Sequence, residues 1–312
     1  MNNFLDPEGA LQSKIAFIQD APTAKDIYEN EFFSGYVGDM FNMLLSRARI
    51  SKHNTYRTSL IKTSLTYAEY SHYLNRGQIN HSQEYSFWVE SLRRELARSE
   101  CNVLVPMGEL AFYTLTGLRG HGNYRGSILP CTLVPGRKVI AAYAPTMLMS
   151  QYTLMPLLQF DLIRINKESA DRTIEVEEED FIIRPSYDTA MDYLKEIEKN
   201  ASIVSWDIET AGQAVSCIGF STESIHGICV PLTIPGQTRY WANTQERELL
   251  RQIERVLRSP NYPQGGQNIY YDYCWMIKTL NIVPSANVWD TMVAQHTCYA
   301  ELPKDLGTLT SL

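Results

Sequence analysis

The absences in this sequence narrow it first. Its six cysteines (Cys101, Cys131, Cys217, Cys229, Cys274, Cys298) are scattered, with no CxxC pair and no histidine at zinc-finger spacing. That excludes a zinc ribbon or finger as an organising element, and the cysteines read as reduced thiols of a cytoplasmic protein. No run approaches the roughly 18 apolar residues of a membrane helix. The N-terminus, MNNFLDPEGALQSKIAFI, opens polar, without the basic head and apolar core of a signal peptide. Nor is there a basic excess: 28 Lys and Arg face 35 Asp and Glu, for a formal charge of −7. A small basic nucleic-acid coat is thereby excluded, while a local basic groove is not. Internal repeats and low-complexity tracts are also missing.

What is there supports one large or two ordinary globular domains: 312 residues, 44% hydrophobic and 20% charged. The charge is unevenly placed. Residues 1–165 carry 16 Lys and Arg against 14 Asp and Glu, a net of +2, whereas 166–312 carry 12 against 21, a net of −9. The change falls at NKESADRTIEVEEEDFIIRPS, whose acids Glu175, Glu177, Glu178, Glu179 and Asp180 form a charged joint between two hydrophobically patterned regions. Successive side chains on extended chain point to opposite faces, so this run reads as a solvated linker, with room for one strand, rather than a metal cluster. The expected division is a first domain over 1–165, an acidic linker over 166–185 and a second domain over 186–312.

The pattern of the first region alternates strands with helices. KIAFI, TYRTSLIKT, NVLVPMG and KVIAAYAP read as strands, while FNMLLSRARI, YSFWVESLRRELAR and ELAFYTLTG, ended by Gly117, read as helices. Such alternation predicts a parallel α/β sheet, with ligands bound in the loops beyond the strand C-terminal ends, among them QDAPT, VPMGE and YAPTM. In the second region SIVSWDIET and VSCIGFST read as a strand pair, IHGICVPLTI as a third strand, and MDYLKEIEKN, TQERELLRQIERVLRS and DYCWMIKTL as helices.

The motif order from Lys14 to Asp161 resembles the family 4 uracil-DNA glycosylases of bacteria and archaea. QDAPT (Gln19–Thr23) stands for that family's GEAPG, FFSGYVG (Phe32–Gly38) for PFVGxxG, and YRTSLIKT for YxTNxxKC. VPMGELAFYTLTG matches its Gly-containing helix start, and VIAAYAPT its VxxTYHPS strand end. The resemblance implies a stacking role for Phe33 and a water-positioning role for Asp20. It also exposes losses: Ser59 stands where the family reads the base with Asn, Ala144 where a His stabilises the departing base, and Thr63 where a Cys ligates a cluster. No iron–sulfur cluster is therefore expected. Loss of one charge-stabilising donor costs on the order of a hundredfold or more in rate, so the module is expected to be non-catalytic. Arg125, in the loop RGS, is a candidate phosphate contact; Arg93, Arg94 and Arg98 read more simply as the solvated face of a helix.

Asp207 and Glu209, in SIVSWDIET, project to one face at period two, a spacing able to share divalent metals. Asn268 and Asp272 follow in GGQNIYYDYCWM, and VWDTMVAQHTCYAELPKDLGTLTSL comes after. In this order the blocks resemble the first two motifs of DEDD-type 3'-5' exonucleases and the DTM segment of family A DNA polymerases of the bacterial polymerase I type. The resemblance implies a partial ribonuclease H-like mixed sheet. It also implies two Mg2+ or Mn2+ ions held by Asp207, Glu209 and Asp272, Asn268 positioning substrate or its helix, and Asp290 acting as a cap. Such exonucleases use a fourth carboxylate in a later YxxxD or HxxxD motif not found here, so this chain alone is expected to be inactive. Otherwise, Asp207 and Glu209 would be exposed strand-end acids and Asp272 a helix cap.

Three functions stay open on the sequence. One is the N-terminal portion of a phage-type DNA polymerase, a glycosylase-like module fused to a proofreading exonuclease acting on single-stranded DNA or 3' ends beside replication proteins in a bacterial cytoplasm. The second is a noncatalytic DNA- or protein-binding module, with Phe33, Asp20, Ser59 and Arg125 lining its pocket. The third is an active uracil-DNA glycosylase with reassigned residues.

Overall fold

The computed structural model describes residues 4–76, 78–175, 178–233 and 239–311. The linker acid Glu177 lies outside them. The chain divides into two compact units, one of Met1–Glu175 with Gly307–Leu312 and one of Val176–Leu306.

In the first unit the order is β1 (Ile15–Gln19), α1 (Ala24–Glu29), α2 (Gly35–Arg47), β2 (Thr55–Ser59), α3 (Tyr67–Tyr73), the hairpin β3 (Leu74–Asn75) and β4 (Gln78–Ile79), then α4 (Gln83–Ala97). There follow β5 (Val103–Pro106), α5 (Glu109–Thr116), β6 (Leu129–Pro130), β7 (Lys138–Val139) and α6 (Met155–Glu168). The main sheet runs β2-β1-β5-β7-β6, parallel except for β6 at its edge. Alternation along β1 explains the layering. Ile15 and Phe17 enter one core with Phe41, Leu44 and Leu158, whereas Ala16 and Ile18 enter the other with Leu92, Leu96 and Leu110. Both faces are thus covered, as a parallel sheet requires. Helix starts are fixed locally: Thr23 and Asp26 cap α1 reciprocally, Thr66 and Glu69 do the same for α3, and Ser82 caps α4. β1 connects to β2 on one side and β2 crosses back to β5 on the other, so the strand order reverses between β1 and β5. Ligand crevices form at such a reversal, beyond the strand C-termini.

The second unit contains β8 (Asp180–Ile182), α7 (Tyr187–Asn200), β9 (Val204–Ala211), β10 (Ala214–Ser221), β11 (His226–Pro231), α8 (Asn243–Arg258), β12 (Gln264–Gly266) and α9 (Ile269–Trp275). A π-helix, Met276–Leu280, continues α9, and β13 (Val288–Asp290) and α10 (Thr291–Cys298) follow; α11 (Leu306–Thr310) belongs, from Gly307 on, to the first unit. β9, β10 and β11 form an antiparallel meander, while β12 lies parallel to β9 and β13 parallel to β12, for a sheet order β13-β12-β9-β10-β11-β8. Without its edge strand β8 this is the 3-2-1-4-5 order of a ribonuclease H-like mixed sheet. The fold class is therefore α/β in both units, parallel in the first and mixed in the second. On β9 the burial alternates strictly, with Val204, Trp206 and Ile208 inside and Ser205, Asp207 and Glu209 exposed. The inward set packs with Leu249, Ile253, Val256 and Leu257 of α8, spaced as one helical face.

Candidate functional site

At the crevice of the first unit the structure places Asp20, Ser59, Phe33 and Arg125 differently from a ready glycosylase pocket. Asp20 follows β1 and points at the start of α5. Its Oδ1 accepts the Ala111 N–H at 2.8 Å and its Oδ2 the Tyr70 hydroxyl at 2.6 Å. Burial pushes its carboxyl above the usual range, and the Tyr70 hydroxyl and the Ala111 and Leu110 amides pull the other way. Gly108 is required for this contact, because a Cβ there would lie 2.4 Å from the carboxyl. Asp20 thus anchors a helix start rather than offering a free carboxylate to water.

Phe33, expected as a stacking platform, is buried and packs against Phe41 at 4.7 Å between ring centroids. Its φ of 55° lies in the left-handed region, which costs a non-glycine residue about 1–2 kcal/mol. Arg125, expected to meet substrate, is also inside. Its guanidinium donates to Asp161 at 2.6 Å and to the Ser311 hydroxyl, and sits over the Tyr143 ring at 5.4 Å. A cation so engaged is unavailable to a phosphate. Arg93 and Arg94 pair with Glu90 on the surface of α4.

Ser59 differs from these three. It ends β2, wholly buried, in register with Gln19 at the end of β1. Among the described residues neither Ser59 Oγ nor Gln19 Oε1 has a hydrogen-bond partner. Buried orphan polar atoms are uncommon and ask for an explanation such as a ligand. Gln19 opens the QDAPT motif but is not among the expected site residues; a polar residue closing an apolar strand is a further signal for it. His121 was also missed. It is buried, with Nε2 3.1 Å from the Pro106 carbonyl and close enough to Asp20 to lower that carboxyl's pKa.

The predicted acids of the second unit come from two elements. Asp207 and Glu209 stand side by side on β9, and Asp272 comes from α9. Pairing between β12 and β9 stops at Gly265 with Ser205, so the next edge of β9 is open to α9. There the Ile208 N–H donates to Asp272 Oδ1 at 3.0 Å, tying the third carboxylate to the residue that lies between the other two in sequence. Burial raises the Asp207 carboxyl, with Glu209 adding repulsion. Asp272 is pushed up to about 6, first by burial and then by the charges of Asp207 and Asp290, against the Ile208 N–H.

Asn268 begins α9 with φ 55°, a conformation asparagine tolerates well. Its N–H and that of Ile269 donate to the two oxygens of Asp290, at 3.1 and 3.0 Å. Asp290 also accepts from Met292 and Val293 at the start of α10, so one carboxylate caps two helices, the supporting role expected of it. Among the described residues no group of three or more His, Cys, Asp or Glu is gathered as a ready metal-binding set. The donor chemistry nevertheless fits a hard divalent cation: every candidate ligand is a carboxylate oxygen, and the repulsion that adds to burial in raising Asp207 and Asp272 is what a cation offsets.

The family model of the uracil DNA glycosylase superfamily matches residues 7–164. The chain belongs to this superfamily. No curated protein matches it. Solved structures similar to it include the EXD2 exonuclease domain soaked in Mg and GMP, at 12% identity and TM-score 0.28, covering 38% of this chain and 62% of that one. The Aedes aegypti Nibbler EXO domain matches at 16% identity and TM-score 0.29, over 40% of this chain and 59% of that one. Escherichia coli RNase D, an exoribonuclease involved in structured RNA processing, matches at 13% and 0.30, over 41% and 30%. The chain thus spans less than two thirds of each of these structures. Among the described residues no helix is long and apolar enough to cross a membrane.

Proposed function

We propose that the second unit of this glycosylase-superfamily protein is a metal-dependent 3'-5' exonuclease of the DEDD type. The first unit, in this reading, holds DNA without cleaving it. The observation that carries it is the Ile208–Asp272 hydrogen bond, which ties a helix carboxylate to the strand that bears the other two acids. Asp207, Glu209 and Asp272 would hold Mg2+ or Mn2+, whose chemistry is to activate water and stabilise the leaving 3' oxygen. Asp272 is fixed by the strand edge, Asp207 and Glu209 present their carboxylates to solvent and substrate, and Asn268 with Asp290 holds the helix start in place. The motif order DIET, NxxxD and DTM supports membership in a phage-type family A polymerase, with 3' ends of single-stranded DNA as substrate and replication proteins as partners in a bacterial cytoplasm.

The test is 3'-end degradation of labelled single-stranded DNA, with Mg2+ or Mn2+, by a longer polypeptide that also supplies the fourth carboxylate. Cleavage should be abolished by Asp207→Ala; an inert wild-type protein under these conditions would remove the reading. A second reading, noncatalytic binding in the first unit, is favoured by the orphan Gln19 and Ser59 atoms. It expects DNA binding that weakens steeply with salt. Uracil excision is the least supported function, since Asp20 is committed to α5 and Ala144 replaces the charge-stabilising His. Absence of abasic product from a uracil-containing oligonucleotide would dismiss it.

A further inference from the structure

The parallel strands of the first unit begin, at the end away from the crevice, beside a cavity of about 420 Å³, a size that suits a small ligand. Its lining includes Ser13 and Lys14 just before β1, Arg49 just after α2, His53 and Asn54 just before β2, and Asn166 near the end of α6. Among the described residues no acid lines it. The side chains of Lys14, Arg49 and His53 make no hydrogen bond or ion pair with another described residue, whereas their neighbours are engaged, Lys52 by Glu31 and Lys138 by Glu168. Arg49 has a φ of 59°, in the left-handed region. The Ile50 N–H reaches back to the Leu45 carbonyl at 2.9 Å and the Arg49 N–H to that of Ser46 at 3.0 Å, so Arg49 holds the turn position after a helix that glycine ordinarily takes. Its charge is not spent on capping that helix, because the Ala48 carbonyl already accepts Asn166 Nδ2 at 3.1 Å. Ser13, 6% exposed, keeps an Oγ without a hydrogen-bond partner among the described residues. A buried polar atom left in this way asks for an explanation such as a ligand.

We propose that this cavity binds the phosphate groups of a small ligand, pyrophosphate or a mononucleotide, through Lys14, Arg49 and His53. Three bases from three separate elements, on a polar wall without a carboxylate to compete, suit a multiply charged anion, and guanidinium and ammonium groups are the usual donors to phosphate. The volume favours a small molecule over a continuous strand. The site shares no residue with the crevice or with the acids of the second unit, so it stands whether or not the nuclease reading does.

The test is calorimetric titration of the full chain in EDTA, which keeps metal-dependent binding by the second unit out of the measurement. Pyrophosphate should bind, and thymidine, which lacks a phosphate, should not. Thymidine 5'-monophosphate binding more tightly than pyrophosphate identifies the ligand as a nucleotide, and weaker binding identifies it as the free anion. Arg49→Gly should weaken pyrophosphate binding about 10-fold or more. The same variant should leave Tm unchanged or higher, because glycine suits a left-handed φ; an arginine with a merely structural role would lower Tm and leave binding alone. Lys14→Gln should weaken binding to a similar degree. In scanning calorimetry, saturating pyrophosphate should raise the unfolding component of the first unit alone. Neither heat nor shift with pyrophosphate or thymidine 5'-monophosphate up to about 10 mM overturns the site. Binding by Arg49→Gly and Lys14→Gln equal to wild type does the same. An oligothymidylate that displaces pyrophosphate at a lower concentration of phosphate groups overturns the small-ligand assignment and makes this surface part of a strand-binding face.

Discussion

Asp272 carries a cost at the residue scale. The folded protein keeps its proton up to about pH 6, whereas the unfolded chain releases it near the ordinary carboxylate value. Folding stability from this residue is therefore full below about pH 4 and declines as pH rises through about 6. With allowance for solvent screening the loss is about 1–2 kcal/mol. Asp272→Asn keeps an oxygen for the Ile208 N–H and removes the charge. Thermal denaturation should show a higher Tm at pH 8 than wild type and a flatter dependence between pH 4 and 7. A Tm lowered equally at both pH values would contradict this account. The thiols offer a second residue-scale check: Cys274 and Cys298 are exposed and Cys101 and Cys131 buried. A chromogenic disulfide reagent at pH 7 should modify the first two quickly and leave the buried pair until the protein is denatured.

The element scale shows what the sequence could and could not tell. IAFIQ became β1, VSWDIETA became β9 and NTQERELLRQIERVLR became α8, because each carries its period in its own side chains. β12, whose residues are Gln-Gly-Gly, has no side-chain alternation to read; its neighbours define it. α1 hid in what read as a Pro-containing loop, and α6 was not anticipated although Leu157, Leu158, Leu162 and Ile165 pack its inner face. Among the candidate residues, the alternation of Asp207 and Glu209 was legible from period two. The inward turns of Phe33 and Arg125 were not, since they depend on packing against Phe41 of α2 and on Asp161, 36 residues further along the chain. Gly108 offers a test of the Asp20 anchor. Gly108→Ala puts a methyl 2.4 Å from the Asp20 carboxyl and should destabilise the protein by about 1–3 kcal/mol. Combined with Asp20→Ala the two changes should cost less than their sum by urea denaturation; strict additivity would mean that the contact carries no energy.

The molecule divides into two units whose hydrophobic clusters are separate, two in the first and one in the second among the described residues. Calorimetry should resolve two unfolding components rather than one. Addition of Mn2+ should raise the component of the second unit, by an increment that grows with the logarithm of metal concentration, and leave the other in place. Asp207→Ala should remove that response. A shift of both components, or of neither, would separate the carboxylates from metal binding.

Asp290 bears on the order in which the protein is made. The first N–H groups of α9 need an acceptor outside the helix, and theirs is a carboxylate about twenty residues further along the chain. On a ribosome, the helix that carries Asp272 would thus emerge before its cap. It can be secured only after β13 has been synthesised and has joined β12, so the acids are fixed in their final geometry late, and a nascent chain stalled before residue 290 carries the motif without the site.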